Sequence, residues 1–145
     1  MWQPDVTVAA VCEVDGQFLL VKERSKSSGK IVLNQPAGHL EDGESLIEAV
    51  QRETLEETGR QFTPEALLGL YRLRLGNNKT YIRYTFSGTI SSPLEGYQLD
   101  LDIMSTHWMT LEEIQRCENL RSPLVLQCIN DYLSGTRYPL SILRD

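Results

Sequence analysis

The 145-residue sequence predicts an α/β fold of the α+β kind, a mixed β-sheet sandwiched between helices. Three observations carry that prediction. The apolar periodicity gives the order β-β-β-α-β-β-β-α-α, an Asp-Gly pair marks an early turn between β-branched runs, and one well-capped helix stands between two sets of strands.

The elements follow in turn. Val6 to Val14 and Gln17 to Lys22 are aliphatic and β-branched and are separated by Asp15-Gly16, so the chain is expected to open with a β-hairpin. Arg24 to Lys30 reads as a loop, and Ile31 to Leu33 as a short strand running into Pro36-Ala37-Gly38. Ser45 to Thr58 is the first helix: Ser45 is the N-cap, Glu48 completes a capping box, Gly59 closes the C-terminus, and Leu46, Ile47, Val50 and Thr54 share one side. Ala66 to Leu75 and Lys79 to Ile90 are two longer strands joined around Gly76-Asn77-Asn78. Ser91 to Asp102 is an irregular acidic loop, and a short strand near His107 to Met109 leads into a helix from Leu111, capped by Thr110 with Glu113 in the box position. The last helix covers Pro123 to Leu133.

Composition narrows the function classes. The length and the 41% hydrophobic content suit a single domain spanning residues 1–145. Apolar runs such as Thr7 to Cys12 are far shorter than the roughly 18 residues of a membrane span, and no basic segment followed by an apolar one opens the chain, so a cytoplasmic protein without a membrane is expected. Cys12, Cys117 and Cys128 form neither a disulfide framework nor a zinc pattern. The net charge of −6 disfavours nucleic acid as a partner, and it is local: Glu41 to Glu57 holds seven acids and one base, leaving 13 acids balanced by 13 bases elsewhere.

Within that segment Glu53, Glu56 and Glu57 stand at i, i+3 and i+4, one arc of a helix face. Like charges at these spacings repel by about 0.2–0.5 kcal/mol per pair, so the arc is either a solvated acidic surface neutralised by Arg52 or a binding site for a hard cation. From Gly38 to Arg60 the chain reads GHLEDGESLIEAVQRETLEETGR. This segment, residues 38–60, resembles the Nudix box, and Gly38, Glu44, Arg52, Glu53, Glu56, Glu57 and Gly59 occupy its seven fixed positions; Thr54 and Arg60 depart from it where aliphatic residues are usual.

The resemblance implies a Nudix fold with a loop–helix–loop metal site. Glu53, Glu56, Glu57 and the carbonyl of Gly38 would bind magnesium, with manganese as a substitute, while Glu44 and Arg52 would brace the loop against the helix. It also implies a Nudix phosphohydrolase that splits phosphoanhydrides with a metal-activated water, Glu53, Glu56 and Glu57 being the catalytic set and Glu56 or Glu57 the base. Asp100 and Asp102 in the later loop offer a further ligand or base, of which Asp102 is preferred. The stretches NQPAGHLE and NLRSPLVLQCINDYLSGTRYPL, with PDVTVA near the start, resemble a phosphatase branch of this family. That implies small-molecule substrates: nucleoside tri- and diphosphates and thiamin-type pyrophosphates such as hydroxymethylpyrimidine pyrophosphate and thiamin pyrophosphate.

Lys22, Arg72, Arg74 and Arg83 are the candidate substrate-binding bases, the arginines alternating along predicted strands. Trp2, Tyr81 and Tyr84 are candidates for ring stacking or for the core; His39 is expected to shape its loop, and Arg121 and Arg137 to pair with Glu118 and Asp131. A monomer is expected. The alternatives are a nucleoside diphosphate-sugar pyrophosphatase and, from another class, a nucleotide-sensing Nudix module without catalysis, against which the intact glutamates argue.

Overall fold

The structure, a computed structural model, describes residues 1–76 and 78–144. Asn77, in the expected Gly76-Asn77-Asn78 turn, lies outside the described residues, as does Asp145. In chain order the elements are β1 (Asp5–Val11), β2 (Glu13–Val14), β3 (Gln17–Arg24), β4 (Ile31–Asn34), β5 (Ala37–His39), α1 (Leu46–Thr58), β6 (Phe62–Arg74), β7 (Thr80–Ile90), β8 (Ile103–Thr110), α2 (Leu111–Gln115) and α3 (Leu124–Leu133), followed by a 3-10 turn at Leu140–Ile142.

The Asp-Gly turn forms as expected, with φ of 51° at Asp15 and 80° at Gly16, the pair of positive angles that a two-residue hairpin turn requires. Only β2 pairs with β3 across it. At Cys12, whose carbonyl still accepts the Leu19 N–H at 3.0 Å, the chain changes sheets. β1 lies parallel to β7, from Asp5↔Tyr81 to Val11↔Ser87, and antiparallel to β5. The reason is the composition of β1. Val8, Ala10 and Cys12 pack in one core cluster and Val11 in another, and a strand apolar on both faces belongs inside a sheet rather than in a half-exposed hairpin. The strands therefore divide between two sheets, β5-β1-β7-β6 and a second in which β3 pairs with β2, β4 and β8.

Helices cover the mixed sheet as predicted. α1 sets Ala49 and Val50 against Val8, Ala10, Phe62 and Phe86; α3 sets Val125 and Ile129 against Val11, Leu68 and Tyr71 on the other side. The capping box of α1 is complete, with Ser45 Oγ accepting from the Glu48 N–H at 3.1 Å and Glu48 Oε1 accepting from the Ser45 N–H at 2.9 Å. Gly59 ends the helix at φ 69°. Thr54, at a position usually aliphatic, is fully buried, and its hydroxyl donates to the Val50 carbonyl at 2.7 Å, so no polar atom is stranded.

β6 begins at Phe62 rather than Ala66. It is an edge strand, where the missing N–H of Pro64 costs little, and its outer side is partly covered because Leu67 and Tyr138 exchange backbone hydrogen bonds at 2.9 and 2.8 Å.

Candidate active site

A cleft of about 660 Å³ opens where β1, β3, β4, β5 and β7 face the acidic side of α1 and the loop before β8. Glu53, Glu56 and Glu57 all line it, as the helical spacing requires. Glu57 is 7% exposed and its Oε1 accepts the Ala37 N–H at 2.9 Å. The Glu53 carboxyl occupies the space that a Cβ on Gly38 would fill, so the glycine is what lets β5 lie against the helix here.

Arg52 organises the surrounding loop. Its Nε and Nη2 grip Glu44 at 3.0 and 2.7 Å, and Nη2 also donates to the His39 carbonyl at 3.0 Å. Its Nη1 donates to Glu53 at 2.9 Å and to Glu56 at 3.2 Å. The bracing of loop against helix that the box resemblance implies is thus a bidentate pair. Glu48 takes no part, because its carboxylate is committed to the N-cap.

The electrostatics are those of crowded carboxylates. Burial pushes the Glu53 carboxyl up to about 7, with Arg52 opposing and Glu56 and Asp100 adding to the rise. Burial also holds Glu57 well above the usual carboxylate range, helped by Glu23, Glu53 and Asp100 and opposed by the Ala37 N–H. Glu44, hydrogen-bonded to Arg52, is lowered.

The acidic loop delivers both of its aspartates to the cleft. The Asp100 N–H donates to the Glu56 carbonyl at 3.0 Å, which ties the loop to α1, and its charge acts on Glu53 and Glu57. Asp102 lies further round, ion-paired with Lys26 at 3.4 Å, and its charge acts on Glu23.

Of the four candidate bases, Arg83 lines the cleft and Lys22, Arg72 and Arg74 do not. The pairing explains this. Arg83 sits opposite Tyr71, and Arg72 and Arg74 sit opposite Ile82 and Thr80, so these two project from the other face of the sheet, exposed. On β3 the same alternation turns Glu23, not Lys22, into the cleft. Among the aromatic candidates Tyr81 lines the cleft, Tyr84 packs on the α1 side and Trp2 is exposed. His39 stands at the rim, edge-on to Tyr81 at 6.4 Å and 3.5 Å from Asp5.

Sequence reasoning missed Glu23, Asn34, Gln35 and the true setting of Arg121. Arg121 pairs with Glu23 at 3.2 Å, not with Glu118, while Asp131 accepts the Tyr71 hydroxyl at 2.6 Å and Arg137 stacks on Tyr132 at 4.1 Å. The available signal was the polar Asn34-Gln35 pair at the end of an apolar strand, where both side chains are buried.

The residues present fit a hard divalent cation. The donors are all oxygen, they repel one another, and burial makes their charges costly until a cation compensates them. Among the described residues no three acidic, histidine or cysteine side chains are yet gathered on one point; Arg52 Nη1 stands between Glu53 and Glu56 instead.

Comparison with known proteins agrees with this geometry. The NUDIX domain model matches residues 1–126. Phosphatase NudJ of Escherichia coli K12 is 40% identical over 145 residues, all of this chain and 94% of that protein. A NUDIX hydrolase of known structure from Nitrosomonas europaea is 50% identical with a TM-score of 0.95, covering 99% of this chain and 97% of that one. The MutT protein of Methanosarcina mazei Go1, at 24% identity and a TM-score of 0.77, covers 94% of this chain and 99% of that one and shares the fold. With its box complete and its glutamates in one cleft, the chain belongs to the Nudix family of hydrolases, enzymes that act on phosphorus-containing anhydrides.

Proposed function

We propose that this hydrolase removes phosphate from nucleoside tri- and diphosphates and from thiamin-type pyrophosphates, with magnesium held by Glu53, Glu56, Glu57 and the Gly38 carbonyl, and with manganese as a substitute. The observation that carries this reading is the convergence of three helix carboxylates, two of them raised in pKa by burial and mutual repulsion, on one cleft. The full-length likeness to a protein named phosphatase supports the substrate class.

A divalent metal held by Glu53, Glu56, Glu57 and the Gly38 carbonyl would supply charge neutralisation for the anhydride and a more acidic water. The chain's own groups supply the rest. Arg52 orients Glu53 and Glu56 from one nitrogen and fixes the loop through Glu44 from the other two. Glu57 is the assigned base: it lines the cleft, and the Ala37 N–H fixes one of its oxygens. As it takes the proton from water, the new P–O bond forms and the bridging P–O bond breaks. Asp100, tied to α1 through Glu56, is placed to assist as a further ligand, and Asp102 is the second candidate for that role.

A product assay tests the proposal. With magnesium, orthophosphate is expected first from a nucleoside triphosphate, a nucleoside diphosphate and thiamin pyrophosphate. The Glu57→Gln protein, folded by circular dichroism, is expected to lose about 10²-fold or more in turnover. Nucleoside monophosphate and sugar phosphate as the dominant products, from a nucleoside diphosphate-sugar, would overturn the substrate reading.

A further inference from the structure

The cleft contains a cation that its surroundings do not neutralise. Arg83 is 7% exposed, yet it forms no ion pair among the described residues. Its Nη1 and Nη2 donate to Gln35 Oε1 and Asn34 Oδ1, both at 3.4 Å, and the Cys128 thiol is its other close neighbour. A guanidinium has five N–H donors, more than these acceptors satisfy. Burial lowers its pKa, the direction that marks an uncompensated charge. A buried charge without a counter-ion is destabilising, so the fold accommodates Arg83 at a cost that an incoming anion would relieve.

The amides are built to present it. The Gln35 Nε2 group donates to the Val125 carbonyl at 2.8 Å, which leaves its oxygen for Arg83. Asn34 supports Glu23 with its other end while its oxygen accepts from Arg83. Glu23, in turn, is already occupied by Arg121. Glu23 therefore stands between two regions of the cleft, acting on Glu57 at the acidic side and on Arg83 at the basic side, and the guanidinium stays unpaired.

From this we propose that Arg83, presented by Asn34 and Gln35, is the receptor for a terminal phosphoryl group and makes the enzyme select anhydrides that end in a free phosphate. The inference rests on the hydrolase reading above and deepens it. Arg83 lines the cleft but is only 7% exposed, so little of the guanidinium is open to a ligand. A terminal phosphate brings three free oxygens and nearly two negative charges, against two oxygens and one charge for a phosphate bridged on both sides. The planar fork matches the first better.

The test compares two substrates with the magnesium-loaded enzyme: a nucleoside diphosphate and the same nucleoside diphosphate esterified to a sugar. The wild-type protein is expected to favour the free diphosphate. Arg83→Met is expected to raise KM for it about tenfold or more, with a smaller change in kcat, and to affect the sugar ester several-fold less, so the preference collapses. Arg83→Lys, which keeps the charge without the fork, is expected to recover part of the preference and serves if the methionine variant does not fold. A second measurement separates this idea from the hydrolase reading. In EDTA, inorganic phosphate is expected to raise the Tm of the wild-type and Glu57→Gln proteins and to leave Arg83→Met unmoved. An unchanged substrate ratio in the folded Arg83 variants, or an equal phosphate response, would overturn the proposal even if Glu57→Gln is inactive; an active Glu57→Gln with a lost preference in Arg83→Met would overturn the assigned base alone.

Discussion

Gly38 shows how a residue without a side chain can set the chemistry of its neighbours. In Gly38→Ala the new methyl group would fall on the Glu53 carboxyl, the movable end of a long side chain, so the carboxyl shifts and the backbone does not. Magnesium affinity and turnover are expected to fall about 10- to 100-fold while Tm stays near the wild-type value, read by metal titration and calorimetry. Glu53, Glu56 and Glu57 were legible in the sequence because helical spacing is local: residues three and four apart share a face wherever the helix goes. Glu23 and Arg121 were not legible, since 98 positions separate them and only the packing of β3 beside the segment before α3 brings them together. Arg83 was named for the right residue type but grouped with Arg72 and Arg74, and only the cross-strand register reveals that Tyr71 is the residue sharing its side of the sheet.

At the level of elements, helix ends and turns were predicted well and strand partners were not. The Ser45–Glu48 and Thr110–Glu113 boxes form as their sequences specify, because a cap is made within four residues. Whether β1 folds back on β3 or inserts beside β7 depends on which arrangement buries both its faces, a property of the assembled sheets. The β6–β7 pair carries another such long-range demand. The register shifts between Pro64 and Ala66, and Gly88 lies so close to the Thr63 carbonyl oxygen that a Cβ there would meet backbone. Unlike the Gly38 case, nothing flexible can give way. Gly88→Ala is therefore expected to destabilise the protein by about 1–3 kcal/mol, seen as a lower urea midpoint at unchanged slope.

For the molecule as a whole, the segment carrying all the excess negative charge in the sequence is also where ionisation costs folding energy. Glu53 and Glu57 have folded-state pKa values above their unfolded ones, so the stability they contribute is fully present below about 4.5; the Glu53 part is lost as pH rises through about 7, and the Glu57 part is likewise lost as pH rises. The metal-free protein is expected to lose stability between pH 5 and 8, on the order of 3 kcal/mol at most for Glu53. Magnesium should raise Tm more at pH 8 than at pH 5, because at the lower pH it must displace protons. A flat Tm profile in EDTA would contradict the crowding of these carboxylates. The place of β1 between β5 and β7 has a further consequence, for the chain during its synthesis. Val8, Ala10 and Val11 leave the ribosome well before the β7 residues beside them, which follow some 76 positions later. At about 5–20 residues per second, that is a wait of roughly 4–15 s. Until Ile90 has emerged, β1 has, among the described residues, β5 alone to pair with, and the nascent chain is expected to be prone to aggregation through its unpaired apolar edge during that interval.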